Sequence, residues 1–70
     1  MIYLPQLYKM EERIEKYTET AEQHEIINLF AVQNLVKIAI EAVETEGHIE
    51  EHQESLEKLA QIVDDTIGEE

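Results

Sequence analysis

The chain has no cysteine, and this absence excludes two common ways of stabilising a small protein. Disulfide bonds and thiolate zinc sites both need cysteine sulfur. A core built from 70 residues rarely contributes more than about 3–5 kcal/mol of net stability, so small proteins are often reinforced by association. We therefore expect this chain to gain stability by binding a second copy of itself.

Glycine and proline are scarce, with two and one in the chain, which leaves few places for a turn. The elements must therefore be few and long. Apolar residues make up 43% of the sequence, a usual share for a globular protein, and they recur at helical rather than alternating positions. We expect residues 1–70 to form one all-α domain, a small antiparallel bundle of two or three helices that is completed by homodimerisation.

Basic residues are also few, with five lysines and arginines against 17 acids and a net charge of −12. Ten of the acids lie in residues 44–70, where Lys58 is the one base. This charge repels the phosphates of nucleic acids and of anionic membranes, so we expect no direct binding to either. It would attract a basic surface on another protein.

The longest apolar stretch covers residues 26–43, in which 13 of 18 residues are apolar. It is nearly long enough to span a membrane, but Lys37 and Glu41 lie inside it. A central lysine costs about 2.5–3.5 kcal/mol on insertion scales. No targeting segment is recognisable in the first residues. We interpret the stretch as a core or interface helix of a cytoplasmic protein.

The spacing of apolar residues predicts a first helix that begins near Pro5. A break near residues 18–22 is expected, with a capping box formed by Thr20 and Gln23. The alternative is one unbroken helix over residues 5–45. The apolar stripe of the first helix is Leu7, Met10, Ile14, Tyr17 and Ala21.

Gly47 is suited to end the second helix, because glycine adopts the left-handed conformation common at helix C-termini. A third helix is predicted from Ile49 to Ile67, with Gly68 after it. Its apolar stripe is Ile49, His52, Leu56, Leu59, Ala60, Val63 and Ile67.

The second helix is apolar over most of its circumference, so it needs at least two neighbours. We expect Leu35 and Ile38 to lie in the core, where Leu35→Ala would cost about 2–5 kcal/mol. The candidate residues of a subunit interface are Asn28, Phe30, Leu35 and Ile38. Asn28 lies within the apolar arc and either pairs with an amide of the second copy, fixing the register, or contacts backbone or water near the helix start.

Two patterns in the sequence resemble metal sites. Glutamates three apart bind magnesium in all-α nucleoside triphosphate pyrophosphatases, but the Glu and Asp pair of that pattern is missing, since Gln61 and Ile62 precede Asp64 and Asp65 by three. His48 and His52 fit H-x-x-E-H, whose imidazoles could bind one metal. A simpler interpretation is that the ring of His52 packs at the edge of the apolar stripe. We expect no catalytic, cofactor or metal site.

The sequence thus favours a small acidic helical module that binds other proteins as a regulator, adaptor or inhibitor, without catalysis. The expected docking residues for a basic partner are Glu50, Glu51, Glu54, Glu57 and Asp65. An acidic mimic of nucleic acid, blocking a DNA- or RNA-binding protein, is the alternative. A metal-dependent nucleotide hydrolase is a more distant one. The homo-oligomer could be a dimer or a tetramer.

Overall fold

A computed structural model describes residues 1–68 and contains three α-helices. They are α1, Leu4–Thr20, α2, Gln23–Glu46, and α3, Gln53–Ile67. Each helix packs against the other two. Helix α2 has 24 residues, which at about 1.5 Å per residue is about 36 Å, nearly the full 37 Å length of the molecule. The all-α bundle expected from the sequence is confirmed.

The junction between α1 and α2 lies at residues 21–22, so the unbroken helix over residues 5–45 is excluded. The predicted Thr20–Gln23 capping box is wrong. Because α1 continues through Thr20, the cap moves two residues along the chain to Glu22. The backbone N–H of Glu22 donates to Oε1 of Glu25 at 3.2 Å. This hydrogen bond caps the first turn of α2.

The turn between α2 and α3 depends on Gly47, as predicted. Its φ is +73°, and its N–H donates to the carbonyl of Val43 at 2.8 Å, which closes the last turn of α2. His48 follows with φ +57°, also left-handed. The chain then forms a 3₁₀ turn, Ile49–His52, so α3 begins at Gln53, four residues later than predicted.

The core contains twelve buried apolar side chains, drawn from all three helices. The predicted stripes of α1 and α3 supply seven of them, and α2 supplies five from one side. They are Leu7, Met10, Ile14, Leu29, Val32, Val36, Ile40, Val43, Leu56, Leu59, Val63 and Ile67.

The prediction that Leu35 and Ile38 lie in this core is wrong for the single chain, since their exposed fractions are 46% and 62%. Both α1 and α3 pack on the side of α2 that carries Val36. Leu35 points about 100° away from Val36 around the helix. Two neighbouring helices therefore leave the opposite side of α2 uncovered.

The side chain of Gln53 fastens the N-terminal segment to the start of α3. Its Oε1 accepts the backbone N–H of Ile2 at 2.7 Å. Its Nε2 donates to the carbonyls of Ile2 at 2.8 Å and Ile49 at 3.1 Å. Farther along, Arg13 Nη1 lies 3.4 Å from Asp64 Oδ1. These contacts hold α1 and α3 side by side against one face of α2.

Candidate interaction surfaces

The side of α2 opposite the core carries Ile27, Ala31, Leu35, Ile38 and Ala42, which we call the outer face. On a helix these positions fall within an arc of about 80°. Ile27 is 81% exposed, and Ala42 is partly covered by its neighbours. Contiguous exposed apolar surface on a small protein is typical of a contact site for another molecule.

A groove of about 360 Å³ lies between α2 and α3, directly beside the outer face. Leu35, Ile38 and Ala42 form its α2 wall, and Leu59 and Ile62 form part of its α3 wall. Ile62 is 41% exposed. The groove and the outer face therefore make one apolar surface that involves two helices.

The four interface residues predicted from the sequence are all exposed on α2. Leu35 and Ile38 belong to the outer face, and Asn28 borders it. Phe30 lies about 100° from the centre of the outer face, on the side that carries Lys37 and Glu41. The structure thus brings three of the four together and leaves Phe30 apart.

Helix α2 is also long and apolar enough to cross a membrane, judged by length and composition alone. The most apolar window has a mean hydropathy of 1.6, and 28% of that window is buried in the bundle. The core helix of a soluble protein and a signal sequence near the N-terminus pass the same test. Five apolar residues of α2 stay exposed in the bundle, so part of the apolar surface of this helix has no partner within the chain: Ile27, Phe30, Ala31, Leu35 and Ile38.

The five carboxylates predicted to contact a basic partner are all exposed. Glu50 and Glu51 lie in the 3₁₀ turn, while Glu54, Glu57 and Asp65 point away from the core on α3 within an arc of about 80°. Two of the five have neighbours on α3. Lys58 Nζ lies 3.7 Å from Oε1 of Glu54, and Gln61 donates to Oδ1 of Asp65 at 3.0 Å.

The histidine pair does not sit on successive turns of one α-helix, which the H-x-x-E-H arrangement requires. His48 precedes the 3₁₀ turn in a left-handed conformation. His52 is half-buried, lines the groove, and has Nε2 3.7 Å from Oε1 of Glu46. Within residues 1–68, no three His, Asp or Glu side chains are grouped closely enough to hold a metal ion.

A contact between α1 and α2 was not anticipated from the sequence. The hydroxyl of Tyr8 donates to Oε2 of Glu44 across 36 residues of sequence. This hydrogen bond, with smaller effects from desolvation and from the charges of Glu44 and Glu11, raises the pKa of Tyr8. The two residues lie on different predicted helices, and no spacing rule relates them.

Comparison with known proteins gives no relative from which a role could be transferred. The chain matches no protein-family model, no curated protein and no solved structure.

Proposed function

We propose that this protein is a non-catalytic interaction module that pairs with a second copy through the outer face of α2. The same module presents the carboxylates of α3 to a basic protein partner. The observation that carries the proposal is the exposure of large aliphatic side chains opposite a well-formed core, with Ile27 at 81% and Ile38 at 62%.

The free energy gained by burying these exposed aliphatic side chains is similar in size to the cost of association. The exposed parts of Ile27, Leu35, Ile38 and Ile62 equal roughly two whole side chains per copy. Burying them in both copies is worth about 6–12 kcal/mol, at about 1.5–3 kcal/mol for each aliphatic side chain. Association costs about 4–15 kcal/mol. These terms are of the same order, so pairing through this surface is expected to be reversible rather than permanent.

The charge and position of the five carboxylates support their proposed role in binding a basic partner. Its five carboxylates lie on the 3₁₀ turn and the outward side of α3, so they stay accessible when the outer face of α2 is covered. Exposed charges of this kind set association rate and salt sensitivity more than they set the contact core. The module would therefore use apolar surface for assembly and charge for partner capture.

Assembly is tested by two matched substitutions on α2. Ile38→Gln removes an apolar side chain from the outer face, and Phe30→Gln makes a comparable change outside it. Light scattering should show that Ile38→Gln shifts the dimer toward monomer while Phe30→Gln leaves it intact. A dimer equally tolerant of both changes would refute the outer face as its contact.

Partner capture is tested with Glu50, Glu54 and Glu57 all changed to lysine. The control changes Glu12, Glu15 and Glu19 on α1, which gives the same change in net charge. Only the first variant should slow capture of a basic protein from an extract of the host and weaken its salt dependence. Equal effects would mean that the charge serves solubility. Displacement of the captured protein by duplex DNA would favour the nucleic-acid mimic instead.

A further inference from the structure

We propose that the two copies pack with their α2 helices antiparallel and with Leu35 close to the two-fold axis. This inference rests on the dimer proposed above and specifies its geometry. Two copies related by a two-fold axis use the same surface twice, so each residue of the contact meets a predictable counterpart. Those counterparts differ between parallel and antiparallel pairs.

Side-chain size favours the antiparallel pair. Asn28, Ala31, Leu35, Ile38 and Ala42 are spaced three and four residues apart, the spacing of a seam between two packed helices. With Leu35 at the axis, Asn28 lies opposite Ala42 of the second copy, and Ala31 lies within one residue of the level of Ile38. Each small side chain then faces a larger one. A parallel pair sets Ala31 against Ala31 and Ile38 against Ile38, which leaves a void at one level and crowds the next.

Charge favours the same arrangement. Residues 23–34, the first half of α2, carry one acid, Glu25, and no lysine or arginine. Residues 35–46, the second half of α2, carry three acids and Lys37, a net charge of −2. A parallel pair brings two such acidic halves together, whereas an antiparallel pair places each beside the nearly neutral half of the second copy. The helix dipoles also oppose one another favourably when the helices are antiparallel.

The groove supplies the third argument. Leu35 and Ile62 both lie at the end of the groove that is farthest from the turn at residues 47–52, because α2 and α3 run in opposite directions on either side of that turn. A two-fold axis perpendicular to α2 keeps both α3 helices on the same side of the interface. Ile62 of each copy then approaches Ile62 of the other, and the two grooves close against one another. Thus the antiparallel pair covers Ile62 without any contribution from another protein.

Cysteine cross-linking tests the geometry cleanly, because the natural chain has no cysteine. In an antiparallel pair the two Asn28 positions are 14 residues apart along the seam, or about 21 Å, far beyond the roughly 7 Å limit between Cα atoms for a disulfide. Asn28 of one copy, however, lies opposite Ala42 of the other. The Asn28→Cys and Ala42→Cys variants, once mixed and allowed to exchange subunits, should therefore form a disulfide-linked heterodimer under mild oxidation.

Neither variant alone should form a linked dimer, and Glu57→Cys, on the far side of α3, should not link to either. Circular dichroism and light scattering first establish that each variant folds and pairs. A disulfide formed by Asn28→Cys alone would overturn the antiparallel geometry and favour a parallel pair with facing asparagines, while the proposed dimer would stand. A dimer with no cross-link in any combination would also overturn it. A wild-type chain that is monomeric by light scattering would remove the dimer itself.

Discussion

Two leucines on α2 allow the roles of its two sides to be separated by one kind of substitution. Leu29 is 1% exposed and packs in the core, whereas Leu35, six residues later, is 46% exposed on the outer face. Leu29→Ala removes a fully buried side chain and should cost about 2–5 kcal/mol of folding free energy. A core of this size supplies only about 3–5 kcal/mol, so we expect this variant to be largely unfolded.

Leu35→Ala should behave differently, because in the proposed dimer the remaining contacts of Leu35 come from the second copy. At low protein concentration its free energy of unfolding should lie within about 1 kcal/mol of the wild type, as expected for a half-exposed side chain. At high concentration the wild type gains stability from pairing and the variant gains less. Urea unfolding followed by circular dichroism at both concentrations measures this difference. Equal losses for the two leucines at every concentration would refute the assignment of Leu35 to the contact.

Three further predictions follow from contacts within the chain. Gln53→Ala removes the hydrogen bonds to the backbone of Ile2 and should lower the free energy of unfolding by about 1–3 kcal/mol, since partly buried backbone groups lose their partners. Urea unfolding unchanged by this substitution would contradict a stabilising role for these hydrogen bonds. Because the pKa of Tyr8 is raised above its ordinary value of 10.0, the contribution of its bond to Glu44 is complete below pH 10 and is lost as the pH rises through the raised pKa. Glu44→Gln should therefore lower the pKa of Tyr8 in an ultraviolet tyrosinate titration, and an unchanged titration would count against that bond. The ion pairs of Arg13 with Asp64 and of Lys58 with Glu54 have partly or largely exposed side chains and are worth at most about 1 kcal/mol each. Repulsion among 17 acids should dominate, so added salt should raise the melting temperature, and a fall would show that attraction dominates.

The sequence predicts the helices and two of the three core stripes because those features depend on local periodicity. Leu7, Met10 and Ile14 recur at helical spacing between charged residues, so their side of α1 is evident without a structure. Gly47 marks the second turn for a similar reason, since few other residues tolerate its backbone conformation. The start of α3 is misplaced because a 3₁₀ turn and an α-helix share the same sequence pattern over four residues.

The inward side of α2 could not be predicted in the same way. Its residues are apolar in nearly every direction, so periodicity gives no indication of which side α1 and α3 will cover. Leu35 and Val36 have similar hydrophobicity, yet only tertiary packing makes Val36 core and Leu35 surface. The hydrogen bonds of Gln53 to Ile2 and of Tyr8 to Glu44 could not be predicted either, because the partners are 51 and 36 residues apart in sequence. The five exposed carboxylates were easier to place, since charge keeps them in water.

The mass of the wild-type protein in solution tests the central claim most directly. Each chain has a mass of 8.2 kDa, and sedimentation equilibrium at neutral pH and moderate salt resolves one chain from two. A dimer dissociating on dilution through the micromolar range is the expected result, as the outer face of α2 predicts. A folded monomer at every concentration across that range would contradict the account.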